Sequence, residues 1–147
     1  MKAFFDRDIS TIEGWFSIVA PDGTKLVNRV RARSGQKGYT NTSWTRSKSP
    51  IPFGEFNLYT TLNNKGLKAG KTGIGEAYPI DNRGDKFTIK QPGGKLIREE
   101  IMLHQENMWD GSAGCIVIVR ESDWLHVKAV MEELRLRGIA KFPVEVL

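Results

Sequence analysis

Cys115 is the single cysteine of the chain, and His104 lies eleven positions before it (115 − 104). A thiol beside an imidazole is the least equipment a cysteine nucleophile needs. The ring takes the thiol proton and holds the resulting thiolate as an ion pair. Cys115 closes Ser112-Ala113-Gly114-Cys115 and heads the apolar run Ile116-Val117-Ile118-Val119, whereas His104 ends Ile101-Met102-Leu103. Each reads as the edge of a buried strand, with the polar stretch 105–111 as the loop between them. Gly114 allows a sharp backbone turn beside the sulfur. The amides of Ala113, Gly114 and Cys115 are then candidates for an oxyanion hole. The competing reading is a lone cysteine serving as a small buried hydrophobe.

Other constellations are poorer. His126 lies two residues after Trp124, about 200° round a helix, and so faces away from the apolar stripe; His104 is left as the candidate base. The glycine-rich stretch 66–72 is one residue short for a phosphate loop, and Gly73-Ile74-Gly75 lacks the third glycine of a dinucleotide site. Adjacent carboxylates, Glu99-Glu100 and Glu132-Glu133, point apart rather than onto one site. Asp110 could orient His104, although an acid in a glycine-flanked loop is more often a turn former. One cysteine excludes an internal disulfide, and the absence of a Cys/His cluster gives no metal and no cofactor to expect.

The elements that must position the pair fit one domain spanning 1–147. Hydrophobic residues make up 39% and charged residues 27%, a balance that excludes wholesale disorder. No apolar stretch approaches the roughly 20 residues of a membrane span. The start of the chain does not read as a secretory signal, so synthesis in a reducing cytoplasm is expected. The charge of +5 (22 − 17) gathers in 31–48 and 65–71, surfaces that attract polyanions or an anionic cell wall. Tyr39 and Trp44 lack the regular interleaving of a base-stacking platform, so nucleic acid is not the expected partner.

Strands are predicted at 14–20 and 25–32, joined through the turn Pro21-Asp22-Gly23, then at 53–60, 85–90, 96–104 and 114–119. The stretch 34–52 reads as a long surface loop, and 63–75 as another. Trp124, Val127, Val130 or Met131, and Leu134 recur at three- and four-residue steps, predicting one amphipathic helix over 122–137 with Ser122 as N-cap and Gly138 as stop. A last strand, 142–147, is expected at a sheet edge because of its proline. The fold class is mainly β, mostly antiparallel, with one packed helix.

His104 followed by Ser112-Ala113-Gly114-Cys115-Ile116 resembles the signature of the L,D-transpeptidase (YkuD-type) domain, in which a histidine precedes a Ser/Thr-x-Gly-Cys segment. Ser49-Pro50-Ile51-Pro52-Phe53-Gly54-Glu55-Phe56 is similar to that family's strand entrance, and the two pieces together span 50–119. This chain departs from the family at Ala113, where a second histidine is common, and at Val117 and Ile118, where a polar or basic residue is common. The resemblance implies a β-sandwich-like fold acting on bacterial peptidoglycan. Cys115 would attack the carbonyl of the L,D-linked residue of a stem peptide, typically diaminopimelate before D-alanine. His104 would be the base, the amides of Ala113, Gly114 and Cys115 would steady the oxyanion, and Ser112 would shape the loop. Trp109, Gly54 and Tyr59 are the candidate substrate contacts. Water resolving the thioacyl enzyme makes a hydrolase (the favoured outcome), and an amine makes a transpeptidase. A non-catalytic wall-binding or virion module is the alternative. Without a classical signal the protein would act at the periplasm or cell wall after non-classical delivery, with a delivery or immunity partner to match.

Overall fold

The computed structural model describes residues 1–8, 10–40, 43–44, 48–65, 75–106 and 114–147. In chain order they form β1 (Lys2–Arg7), β2 (Glu13–Val19), β3 (Lys25–Arg33), β4 (Gly54–Tyr59), β5 (Asn63–Lys65), β6 (Gly75–Asp81), β7 (Ile89–Lys90), β8 (Ile97–Arg98), β9 (Met102–Gln105), β10 (Ile116–Ile118), α1 (Glu121–Leu136) and β11 (Lys141–Val146). The fold is mainly β with one helix, as composition and periodicity predict.

The large sheet runs β4-β11-β1-β2-β3-β10-β9-β6-β5. β4 also pairs with β6, Leu58 opposite Ile80, so eight strands close into a barrel with β5 appended to β6. This corrects the expected sandwich. The physical reason lies in β4, which hydrogen-bonds on both sides, to β11 and to β6, and leaves the ring no gap at which two sheets could separate. β7 and β8 form a separate two-stranded ladder.

Period-two alternation fills the barrel. Phe5, Phe16, Ile18, Leu58, Ile80, Leu103, Ile116, Ile118 and Val144 are fully buried in one cluster, as expected where eight strands leave just enough room for side chains. α1 adds Trp124, Val127, Met131 and Leu134 to that cluster and packs against β3, β9 and β10. Trp124 meets Tyr78 of β6 at 5.7 Å between ring centroids, a tilted aromatic pair. Met131 rather than Val130 is the buried choice at that step. The N-cap is Arg120, not Ser122, and it makes no side-chain capping bond; Glu121 and Asp123 supply the negative charge of the first turn.

The β2–β3 hairpin turns where predicted. Ala20 N–H donates to Thr24 O, Asp22 Oδ1 accepts from Thr24 N–H, and Gly23 takes φ 88°. The expected strand 96–104 is broken in two at Glu100, which adopts φ 58°, outside the extended region of a regular strand. The strand expected at 85–90 shrinks to Ile89–Lys90. Part of the loop expected at 63–75 is β5, and the ends of the loop expected at 34–52 are buried at Ser34, Ser49 and Ile51. β11 is not an edge strand: it lies between β1, parallel to it, and β4, antiparallel to it. Its alternating Phe142, Val144 and Val146 fit the interior, and that burial outweighs the missing amide of Pro143.

Candidate active site

β9 and β10 lie side by side but parallel, with Leu103 opposite Ile116 and His104 opposite Val117. The expectation of two strand ends meeting across a short loop is therefore corrected. In a parallel pair the end of one strand lies far from the start of the next. The register sets Cys115 beside Met102, two residues before the His104–Val117 pair, and His104 Nε2 makes no hydrogen bond to the sulfur. Cys115 is two residues before Val117, so its side chain shares the face that Val117 and His104 use. Leu103, Ile116 and Ile118 turn the other way, into the barrel core. Cys115 belongs instead to a second cluster with Ala77, Met102 and Val117, packed under Phe87 on the outer face.

His104 is buried, and its Nδ1–H donates to the carbonyl of Gln105 at 2.6 Å. A carbonyl can only accept, so the proton is on Nδ1 and the lone pair on Nε2. Nε2 is itself buried and has no hydrogen-bond partner. An orphaned buried acceptor costs about 1–3 kcal/mol. Burial, working against the Gln105 bond, brings the ring's pKa down to about 4. The ring is held in its neutral form.

Cys115 is 1% exposed, and its Sγ–H donates to the Glu100 carbonyl at 3.0 Å. Burial pushes the thiol up to about 12, although the Met102 amide and the Arg98 cation both pull it down. Burial thus favours the neutral form of both the ring and the thiol.

Two strained backbones and one left-handed glycine surround the sulfur. Glu100 takes φ 58°, Phe87 φ 72° and Gly114 φ 105°. Left-handed conformations at non-glycine residues cost about 1–3 kcal/mol each and cluster at functional sites. Gly114 is required for a second reason: a Cβ there would enter the Arg98 guanidinium. Arg98, itself buried, donates to the carbonyls of Ser49 at 2.7 Å, Pro50 at 2.8 Å and Ser43 at 3.1 Å. Ser34 Oγ donates to Gly114 O at 3.3 Å and accepts from Ile51 N–H at 2.7 Å. The Ser49-Pro50-Ile51 entrance and the Gly114-Cys115 turn, far apart in the chain, are therefore clamped together by one arginine and one serine. Neither residue was marked by sequence reasoning. Ser34 stood in a presumed surface loop, and an isolated arginine after an apolar residue carries no signal of its own.

Ser112, Ala113, Trp109 and Asp110 lie outside the described residues, and of the expected oxyanion group Gly114 and Cys115 are placed at the site. Tyr59 and Gly54 are not brought against the pair. Tyr59 Oη donates to Asp81 Oδ2 at 2.7 Å while Asn57 Nδ2 donates to Asp81 Oδ1 at 2.9 Å, a network that seals Asp81. Burial and Asp81 together push the phenol up to about 12. Gly54 opens β4 opposite Val146. His126 is exposed, with Nε2 2.8 Å from Leu26 O. Among the described residues no group of three or more His, Cys, Asp or Glu could hold a metal, and no helix is long and apolar enough to cross a membrane. Searches of protein-family models, curated proteins and solved structures find nothing that matches this chain.

Proposed function

We propose that the protein is a cysteine-dependent enzyme that opens L,D peptide bonds in peptidoglycan stem peptides through a thioacyl intermediate on Cys115. The observation that carries this reading is the state of His104. Its Nδ1–H is committed to a backbone carbonyl, and its Nε2 lone pair is left unsatisfied on the face that bears the thiol. A ring serving only to fill the core gains nothing from that orphaned acceptor. The strained backbones at Glu100 and Phe87 and the clamp made by Arg98 and Ser34 support the same reading.

In this mechanism Nε2 accepts the thiol proton and the thiolate attacks the scissile carbonyl, which becomes a tetrahedral oxyanion. Collapse expels the amine, which takes the proton back from the imidazolium and leaves a thioester on Cys115. Water attacks the thioester, Nε2 takes its proton, and the acid and the thiol are released. An amine in place of water gives transfer instead of hydrolysis. Because the resting pair is sealed, the reading requires the cover over Cys115 to open when a stem peptide enters.

The test is to incubate the protein with disaccharide tetrapeptide and follow products by mass spectrometry. Loss of D-alanine marks hydrolysis, and a dimer marks transfer. Cys115→Ala and His104→Ala are expected to lower turnover by at least about 10³-fold with circular dichroism unchanged. Full activity in Cys115→Ala ends the proposal. A second reading, a non-catalytic wall-binding or virion module, is favoured by one observation, the sealed thiol that donates to Glu100. Acid quenching during incubation separates the two. An acyl adduct on Cys115 belongs to the enzyme, and its absence together with unchanged muropeptides belongs to the module.

A further inference from the structure

A cavity of about 560 Å³ opens beside the start of β2 and the end of β3, lined by Ser10, Thr11, Glu13, Arg33, Lys37 and Thr40. Its size suits a peptide terminus or a small ligand. Register ties it to the Cys–His face. Glu13 pairs with Arg33, Arg33 with Val117 and Val117 with His104, so all four project from one row of the outer face. Arg33 stands two strands from His104, about 10 Å away, or about three residues of extended peptide.

Among the described residues lining the cavity, Lys37 is the cation outside an ion pair. The one carboxylate among them, Glu13, is engaged by Arg31 at 3.3 Å. Arg33 pairs with Glu106, yet its Nε is buried with no hydrogen-bond partner. Lys37 is exposed and makes no ion pair among the described residues. Arg7, buried beneath, donates to Thr11 O at 2.7 Å and Thr40 O at 2.9 Å, bracing two walls of the cavity. Lys37 and Arg33 both line this braced cavity, and a carboxylate can accept charge-assisted bonds from such groups.

We infer that this cavity is a subsite for a free carboxylate of the peptide whose bond is opened at Cys115, held by Lys37 and Arg33 about three residues from the reacting carbonyl. The inference rests on the function proposed above and adds what the substrate must carry. It is tested with the full chain bearing Cys115→Ala, so that no turnover intervenes. Acetyl-Ala-Gln-Lys-D-Ala-Ala-Ala, whose terminal carboxylate lies three residues past the Lys carbonyl, is titrated as the free acid and as the C-terminal amide by calorimetry. The acid should bind about tenfold tighter than the amide, Lys37→Gln should erase that difference, and Lys37→Arg should restore it. Equal binding of acid and amide, or a preference that survives Lys37→Gln, overturns the subsite. If the unmutated protein cleaves stems while acid and amide bind alike, the subsite fails and the enzyme stands. If the Lys37-dependent preference is found and no stem is ever cleaved, the carboxylate site stands and the enzyme fails.

Discussion

His104 is buried as a neutral ring, and that choice has a cost in acid. The unfolded ring takes a proton near its ordinary 6.5, while the folded one resists down to about 4. Between those values the unfolded state binds the extra proton, so stability rises with pH and is lost as pH falls from 6.5 toward 4. The integrated loss is roughly 3 kcal/mol. Cys115 acts at the other end. The folded thiol keeps its proton to about 12 against an ordinary 9, so stability falls as pH rises through that interval. Chemical denaturation at pH 7 and pH 4.5 should show the acid loss, and His104→Gln should flatten it. An unchanged slope in His104→Gln would show that the ring is not buried neutral. Gly114 belongs to this scale too. Gly114→Ala should destabilise by about 2–4 kcal/mol, because the new Cβ meets both a left-handed backbone and the Arg98 guanidinium.

At the scale of elements, the site depends on segments that make no ladder of their own. Arg98 sits on a two-residue strand and satisfies three carbonyls of the 43–50 segment. Arg98→Met should strand those carbonyls, cost about 3 kcal/mol or more, and raise protease cutting within 43–50 before the barrel itself unfolds. Uniform cutting across the chain would contradict that ordering. Sequence reasoning read the regular elements well, because alternation and three-to-four spacing are local. Trp124, Val127 and Leu134 face the core as spaced, and Gly23 turns the hairpin. It missed β1 and β6, whose short apolar alternation is interrupted by charge or by Pro79. Cys115 and His104 were legible as chemical types. Their parallel register and their burial depend on pairings between distant segments, which no local pattern encodes. The same holds for Ser34 and Arg98.

At the scale of the molecule, closure of the barrel depends on β11. Removing 141–147 would expose the edges of β1 and β4 together and open the main core at Phe142, Val144 and Val146. Such a truncation should abolish cooperative unfolding and aggregate, whereas replacement of the exposed Leu136 by Gln should change stability by less than about 0.5 kcal/mol. A folded, soluble truncation would mean that the ring is not what holds the core. The parallel seating of β11 against β1 also sets an order of events at the ribosome. β1 pairs with a strand made more than a hundred residues later, so in nascent chains Ala3 and Phe5 have only β2 beside them until synthesis has passed Val144. The barrel therefore closes only once β11 has left the ribosome, and a stalled chain that already contains Cys115 should leave its thiol open to labelling.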